Sequence, residues 1–181
     1  MRLVPSCLVC LLALLLTGCV PTLHPFYEDK DLIIEPALAG KWVGEGAEWV
    51  FAGHGAHAYT LTHTAKHGSA VFTVGAFRLG DRLFLDTFPE ILDCIKNELL
   101  EMHAVGVHYV WRFRIEGKTA FMATLNYDPV DALMKAGKFP LPYEEVEGGW
   151  IVTAKTPALQ TFLRGASDET FFAKGEKLER R

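Results

Sequence analysis

The chain has 181 residues, of which 50% are hydrophobic and 12% aromatic, and its formal net charge at pH 7 is −4. This length suits one domain that buries roughly two-thirds of its unfolded surface in a single core. Prolines and glycines are dispersed along the chain, which excludes a long low-complexity region. The net charge is mildly negative, so the sequence has no excess of basic residues of the kind that binds nucleic acid.

The first segment has the order of an export signal. Arg2 supplies a positive start, an almost unbroken apolar run extends from Leu8 to Leu16, and small residues precede Cys19. The run is short for a membrane span of about 20 residues, and Pro5 interrupts it further, so a retained transmembrane helix is the weaker alternative.

The tetrapeptide Leu16-Thr17-Gly18-Cys19 resembles the lipobox of bacterial lipoproteins, in which an aliphatic residue and two small residues precede a cysteine. The resemblance implies that residues 1–18 are a signal peptide and that Cys19 carries acyl chains on its thiol and, in many bacteria, on its amine. Two or three chains make membrane attachment effectively permanent. The implied location is the bacterial cell envelope. Val20, which stands where an Asp would retain the protein at the inner membrane, favours the outer membrane if the organism has one.

Cysteine usage agrees with this processing. Cys7 and Cys10 leave with the signal and Cys19 is taken by lipid, so only Cys94 keeps a free thiol and no intramolecular disulfide is available. Cys94 lies in a stretch predicted to form the buried face of a helix. No base or partner motif accompanies it, which favours an inert buried thiol over a nucleophile.

Residues 19–39 are predicted to form a lipid anchor and a short tether, followed by one β-rich domain over residues 40–181. Pro21 and Pro25, at the start of the tether, favour extended backbone. Leu23, Phe26 and Tyr27 are available to pack on the domain, so the body should sit close to the membrane.

From residue 40 to residue 155 the chain is predicted to be mainly β, because runs rich in aromatic and β-branched residues alternate with turn signals. The expected strands are Lys41 to Glu45, Trp49 to Ala52, His57 to His63, Ala70 to Leu79, Arg82 to Phe88, His108 to Glu116, Lys118 to Asn126 and Trp150 to Lys155. Short connections make neighbours antiparallel, and an antiparallel meander of about eight strands does best to close into a barrel, which removes exposed edges. An open sandwich and a curved sheet wrapped on a helix are the alternatives.

The clearest alternation places Tyr109, Trp111, Phe113 and Ile115 on a core face and the residues between them, largely charged, on a face that meets water. The next strand is apolar on both faces and needs cover. Helical spacing predicts two or three short helices as that cover: Glu90 to His103, Pro129 to Ala136, and Pro157 to Ala166 with Thr156 as its cap.

Gly40-Lys41-Trp42 at the first strand resembles the Gly-x-Trp signature of lipocalins, in which the Trp seals the closed end of the barrel. The resemblance implies a lipocalin-like barrel and a basic residue near the last strand that packs on this Trp. Lys155 or Arg164 could serve in that role. A barrel of about eight strands holds either side chains or one small ligand.

The histidines show suggestive spacing without a metal-ligand set. His54 pairs with His57 and His63 with His67, but no carboxylates or thiolates are spaced to complete three or four ligands. On strands and turns these side chains are predicted to be surface histidines, and no metal or other cofactor is expected.

Residues for hydrolytic chemistry are equally sparse. Glu144, Glu145 and Glu147 are predicted to lie in one solvated loop, whereas a glycosidase needs two carboxyls that face each other across a cleft. Ser69 and Ser167 lie in no nucleophile elbow. The sequence therefore favours a protein that is not an enzyme.

Two hypotheses from different classes follow. The first is a membrane-anchored binder of a small apolar molecule, such as a fatty acid or lipid fragment, because large rings provide contact area at low entropy cost. Its ligand-lining candidates are Trp42, Tyr109, Trp111 and Phe113. The alternative is an accessory or structural lipoprotein without a ligand, which docks another envelope protein through an apolar patch near the segment Phe139-Pro140-Leu141-Pro142-Tyr143.

Overall fold

The computed structural model describes residues 19–55, 57–90, 104–147, 149–173 and 175–181. The predicted signal segment lies outside the described residues, as does the predicted helix Glu90 to His103 from residue 91 onward, Cys94 included. Within the described ranges, no helix has both the length and the apolar character needed to cross a membrane.

The described chain is mainly β and forms a closed antiparallel barrel, as the sequence predicted. Its strands are β1 (Gly40–Gly44), β2 (Ala47–His54), β3 (Ala58–Ala65), β4 (Gly68–Leu79), β5 (Arg82–Pro89), β6 (Tyr109–Glu116), β7 (Thr119–Thr124), β8 (Tyr143–Val146), β9 (Gly149–Val152) and β10 (Gly175–Arg180). Strands β1 to β7 follow one another around the wall, and β10 closes it between β7 and β1. Tight turns make this meander possible: Gly80 and Gly117 turn two of the hairpins with φ of 65° and 64°.

The strand that closes the barrel is β10, whereas the sequence predicted Trp150 to Lys155 as the eighth strand. That run supplies β9, which pairs only with β8 in a separate two-stranded sheet. In β10, Leu178 pairs with Ala120 of β7 and Arg180 pairs with Trp42 of β1. The prediction was wrong because Leu178 is the single large apolar residue in β10, so the strand has the composition of a charged tail.

The prediction of two or three short helices is confirmed. The described residues contain α1 (Tyr127–Lys135) and α2 (Thr156–Gly165), which correspond to two of the predicted helices, together with α3 (Asp168–Phe171), which was not predicted, and a 3-10 helix at Asp29–Asp31. The predicted cap of α2 was wrong: Lys155 occupies the cap position without a side-chain bond, and Thr156 instead donates its hydroxyl to the Pro25 carbonyl at 2.7 Å. This contact joins the start of α2 to the N-terminal segment.

The apolar residues form two clusters separated by the barrel wall. One fills the barrel and includes Leu61, Leu85 and Phe113. The other lies between the outside of the wall and the helices and includes Leu163 and Phe84, whose ring packs on Phe172. This arrangement explains why strands in the middle of the chain are apolar on both faces, since each face meets a core.

The outward face of β6 is only partly solvated, although the sequence predicted that it meets water. Val110 is 1% exposed in the outer cluster, and Arg112 is half-buried with its Nε 3.1 Å from Oδ2 of Asp168 in α3. Only Arg114 and Glu116 on that face are exposed. The short helix α3 therefore covers the beginning of this strand.

The N-terminal segment from Cys19 to Tyr27 is built into the body of the domain. Thr22 exchanges two backbone hydrogen bonds with His108, at 3.0 and 2.9 Å, and Phe26 is 1% exposed in the outer cluster. Tyr27 packs on Phe77 with ring centroids 6.3 Å apart. Phe26 and Tyr27 thus pack as predicted, but Leu23 is 42% exposed, because its backbone pairs with β9 and leaves its side chain outside.

Candidate functional site

One end of the barrel, the closed end, is filled by aromatic rings. Trp42 and Phe113 are both fully buried and meet edge to face with centroids 6.4 Å apart. Phe51 packs on the other side of Phe113 at 6.2 Å, and Trp42 donates its indole N–H to the Leu38 carbonyl at 2.9 Å. These contacts leave Trp42 and Phe113 as core residues that seal this end.

Arg180 is the basic residue that packs on Trp42. Its guanidinium carbon lies 4.5 Å from the ring centroid, and it donates to the carbonyls of Ala37 and Ala39, the latter at 3.0 Å. Neither residue suggested by the sequence takes this place: Lys155 contacts His24 and Arg164 contacts Gln160. The suggestion was wrong because the last barrel strand is β10 rather than the segment before Lys155.

The opposite end, the mouth, is lined by inward-facing side chains that stay partly accessible. We define the mouth by Trp49, His63, Tyr109, Trp111 and Glu176, each on the inward face of its strand. Trp49 meets Trp111 edge to face at 5.9 Å and His63 at 4.3 Å. All of these side chains except Trp49 are half-buried. These side chains therefore face inward without being fully buried, in contrast to the rings of the closed end.

The polar atoms of the mouth are unevenly satisfied. Trp111 donates its indole N–H to the Thr87 hydroxyl at 3.0 Å. In contrast, Nε1 of Trp49 and Oε1 of Glu176 are buried and have no hydrogen-bond partner among the described residues. Burial raises the pKa of Glu176 and the neighbouring Glu45 raises it further; the Trp49 indole N–H, which lies near the carboxyl without a hydrogen bond of normal geometry, lowers it. The mouth therefore combines apolar rings with an unused donor and an unused acceptor.

The four ligand-lining residues predicted from the sequence divide between the two ends. Trp42 and Phe113 belong to the filled closed end, whereas Tyr109 and Trp111 belong to the mouth. Sequence reasoning did not single out Glu176 or the inward position of His63. Strand alternation in β3, where Tyr59, Leu61 and His63 share a face, is the signal that could have found His63.

Cys19 lies beside the mouth. Its backbone bridges to Asn126 just after β7, and burial raises the pKa of its thiol, opposed by a hydrogen bond with Thr124. The pKa of Tyr109 is raised by burial and by the Cys19 sulfur. The predicted attachment point for lipid and two inward-facing residues at the mouth are therefore neighbours.

Three exposed apolar side chains, which we call the rim, lie at the same end: Leu23, Phe88 and Val105. The Phe88 ring stacks on His108 with centroids 4.6 Å apart and lies directly against Gly106, next to Val105. Leu23 follows Thr22, which pairs with His108. The rim is thus continuous through His108 and borders the segment that begins at Cys19.

The remaining predicted sites show no constellation for chemistry. His54, His57 and His67 are exposed as predicted, but His63 is half-buried against Trp49, and burial lowers its pKa. Within the residues that the structure describes, no three His, Cys, Asp or Glu side chains are grouped to hold a metal ion.

The acidic cluster lies in a hairpin rather than in a loop. Glu144 and Glu145 are exposed residues of β8, and Glu147 is an exposed residue of the turn that follows. The prediction missed the strand because acidic residues are depleted in strands, although an exposed two-stranded ribbon tolerates them.

A second concave surface lies outside the barrel, between α1 and α2. It has a volume of about 620 Å³, and its lining includes Leu133, Leu141, Ala158 and Phe162. Leu141 belongs to the irregular segment for which the sequence predicted an apolar patch, and Phe139 packs on Phe162 at 5.6 Å. This groove is the structural counterpart of that predicted patch.

No protein-family model matches this chain, no curated protein matches it, and no solved structure matches it. The function of this protein is therefore inferred from the geometry of its own residues.

Proposed function

We propose that this protein is a bacterial envelope lipoprotein, anchored by acyl chains on Cys19, whose barrel binds a small apolar ligand at its mouth. The observation that carries the proposal is the contrast between the two ends of the barrel. Trp42, Phe51 and Phe113 are fully or almost fully buried at one end, whereas His63 and Trp111 face inward at the other end and keep part of their surface exposed. Partly exposed inward-facing rings provide the apolar contact area typical of small-molecule sites.

The position of Cys19 supports the anchor and its relation to the site. Its thiol lies beside Tyr109 and Thr124, so acyl chains attached there start next to the mouth. Leu23, Phe88 and Val105 add apolar surface at the same end, which favours contact with the lipid boundary over exposure to water. The mouth would then face the membrane, where apolar molecules are abundant.

Native mass spectrometry tests the binding of a ligand. The sample is residues 19–181 with Cys19→Ser, which include every buried contact described above and can be purified without detergent. We expect a discrete adduct of small mass that denaturation releases. A bare polypeptide mass that stays unchanged after incubation with a lipid extract would reject the binding proposal.

The anchor is tested on protein isolated from bacterial membranes. We expect the polypeptide to begin at Cys19 and to carry two or three acyl chains, since a single chain holds a protein only marginally at a membrane. A polypeptide that begins at Met1 with an unmodified Cys19 would contradict the anchor.

The groove between α1 and α2 favours a second candidate function, the docking of another envelope protein. Its volume of about 620 Å³ and its lining by Leu133, Leu141 and Phe162 would suit an apolar segment of a partner. A bare mass in the native experiment, with a second protein crosslinked through positions around Leu133, would favour this candidate over the binder.

A further inference from the structure

The mouth contains two polar atoms whose hydrogen-bonding capacity is unused. Trp49 is 7% exposed and its Nε1–H lies near the Glu176 carboxyl without forming a hydrogen bond of normal geometry, while Oε1 of Glu176, also shielded from water, accepts from no described group. A buried polar group without a partner is destabilising. Both atoms would gain from a group that satisfies them, and both belong to the inward-facing set at the mouth.

We propose that Trp49 and Glu176 recognise the head of an amphiphilic ligand, and that this head is a neutral group able both to accept and to donate, a hydroxyl or an amide. The proposal rests on the proposed function of the mouth as a ligand site and names the ligand's class. A hydroxyl oxygen accepts from Nε1–H of Trp49 and its proton is donated to the Glu176 carboxyl. The apolar tail lies against the rings of Trp49 and Trp111.

The carboxyl is held in place for this contact. A Cβ on Gly44 would come within 2.9 Å of Oε1 of Glu176, so the carboxyl packs directly over the β1 backbone. Glu176 of β10 pairs with Met122 of β7, and the Met122 side chain is buried in the barrel core. Oε1 of Glu176 is therefore packed against the barrel wall at Gly44.

Charge at the mouth disfavours an anionic head. Glu45 lies close enough to Glu176 to raise its pKa, which means that negative charge is already unfavourable there. A fatty acid carboxylate would add a third acidic group and offers no proton to Glu176. Burial lowers the pKa of His63, which favours its neutral ring and leaves it a poor partner for an anion.

The lysines of the neighbouring strands do not offset this charge. Lys41 of β1 forms an ion pair with Glu48, and Lys177 of β10 forms one with Glu179, so each cation already has a carboxylate partner. An ammonium head would suit Glu176 electrostatically, but it has no acceptor for the Trp49 N–H. A neutral donor–acceptor group satisfies both atoms.

Calorimetric titration of residues 19–181 with Cys19→Ser, using decanol, decanoate and decylamine at pH 7.5, tests the proposal. We expect decanol to bind at least about threefold more tightly than decanoate, the ratio that one neutral hydrogen bond provides. Glu176→Gln keeps the size of the side chain and removes its charge, so the affinity of this variant for decanoate should approach its affinity for decanol. In Trp49→Phe, which keeps a ring and removes the N–H, decanol should weaken by about three- to tenfold.

Glu179→Gln is the matched control, because Glu179 is an exposed carboxylate on the same strand, and it should leave the order of affinities unchanged. Equal affinities for the three amphiphiles, or a decanol-to-decanoate ratio that Glu176→Gln leaves unaltered, would overturn the head-group inference while the binding site stands. If none of the three binds to any variant, the proposed function itself fails and this inference fails with it. Thermal unfolding of each variant separates loss of binding from loss of fold.

Discussion

Asp86 is a charged residue placed almost entirely inside the protein. It is 1% exposed, its Oδ1 lies 2.7 Å from Nδ1 of His108, and its Oδ2 accepts the backbone N–H of Phe26 at 2.8 Å. Burial raises the pKa of Asp86, while His108 and the Phe26 N–H act in the opposite direction. One carboxyl thus joins the N-terminal segment to the start of β6.

The raised pKa of Asp86 sets the sign of its effect on stability. Below about pH 3.9, the ordinary value for Asp, the folded and unfolded chains both hold the proton. Above that value the unfolded chain loses it first, so the folded state binds more protons and the free energy of unfolding falls as pH rises through the folded pKa. The ionised carboxylate therefore makes the fold less stable than the protonated acid does.

We expect Asp86→Asn to remove this contribution, because the amide has a similar shape and does not ionise. The free energy of unfolding of the variant relative to the wild type should rise from pH 3.5 to pH 5.5, measured by urea unfolding. Asp81→Asn removes an exposed carboxylate, and over the same range the free energy of unfolding of this variant should depend on pH as that of the wild type does. A parallel profile for Asp86→Asn would contradict the assignment.

At the scale of elements, β10 decides whether the sheet is a barrel. Leu178 is fully buried inside the barrel, whereas its neighbour Lys177 faces outward in an exposed ion pair with Glu179. The strand forms two interfaces, with β1 and with β7, and both depend on this in-and-out alternation.

Alanine substitutions on β10 test its orientation. Leu178→Ala should lower the free energy of unfolding by about 2–4 kcal/mol, since it removes buried methyl groups and leaves a cavity. Lys177→Ala should change it by less than about 0.5 kcal/mol. Chemical denaturation measures both, and similar losses from the two substitutions would mean that the register of β10 differs from the one described.

The sequence was sufficient for the strands whose pattern is strong. In β4, β5 and β6, runs rich in aromatic and branched residues predict the strands, and glycine turns join β4 to β5 and β6 to β7, so local physics predicts these two hairpins. It was insufficient for β10, where one leucine sits among charges, and for β9, whose good strand pattern belongs to a ribbon outside the wall. The pairing partners of a strand depend on contacts throughout the barrel and cannot be predicted from the few residues of that strand alone.

The candidate site was half predictable for a related reason. Period-two alternation correctly put Trp111 and Phe113 on one face of β6, but it carries no information on depth along the barrel axis. Trp111 and Phe113 are only two residues apart on β6, yet the Trp111 ring is half-buried at the mouth and the Phe113 ring is fully buried at the closed end. Glu176 escaped notice because a glutamate in a charged run has no sequence signal for facing inward.

At the scale of the whole molecule, residues 19–39 and the barrel are a single packed body. Val20 and Phe26 join the outer cluster and Leu38 joins the barrel core, so the segment expected to be a tether contributes to both. Its backbone hydrogen bonds to His108 join it to the start of β6, and those to Val152 join it to the two-stranded sheet of β8 and β9.

Two substitutions within this segment separate packing from tethering. Phe26→Ala should lower the free energy of unfolding by about 3–5 kcal/mol, because a fully buried ring is removed. Leu23→Ala, at an exposed position of the same segment, should cost less than about 0.5 kcal/mol. Thermal and urea unfolding of both variants measure this difference, and a harmless Phe26→Ala would mean that the segment is dispensable to the fold.

The closure of the wall between β1 and β10 has a kinetic consequence. The partners Trp42 and Arg180 belong to the first and the last strand of the barrel. The ring of strands cannot close before β10 is in place, and the meander of β1 to β7 keeps two open edges until then. Completion depends on contacts between residues far apart in sequence, which makes the final step of folding slow and leaves the nascent protein in need of protection until its last strand arrives.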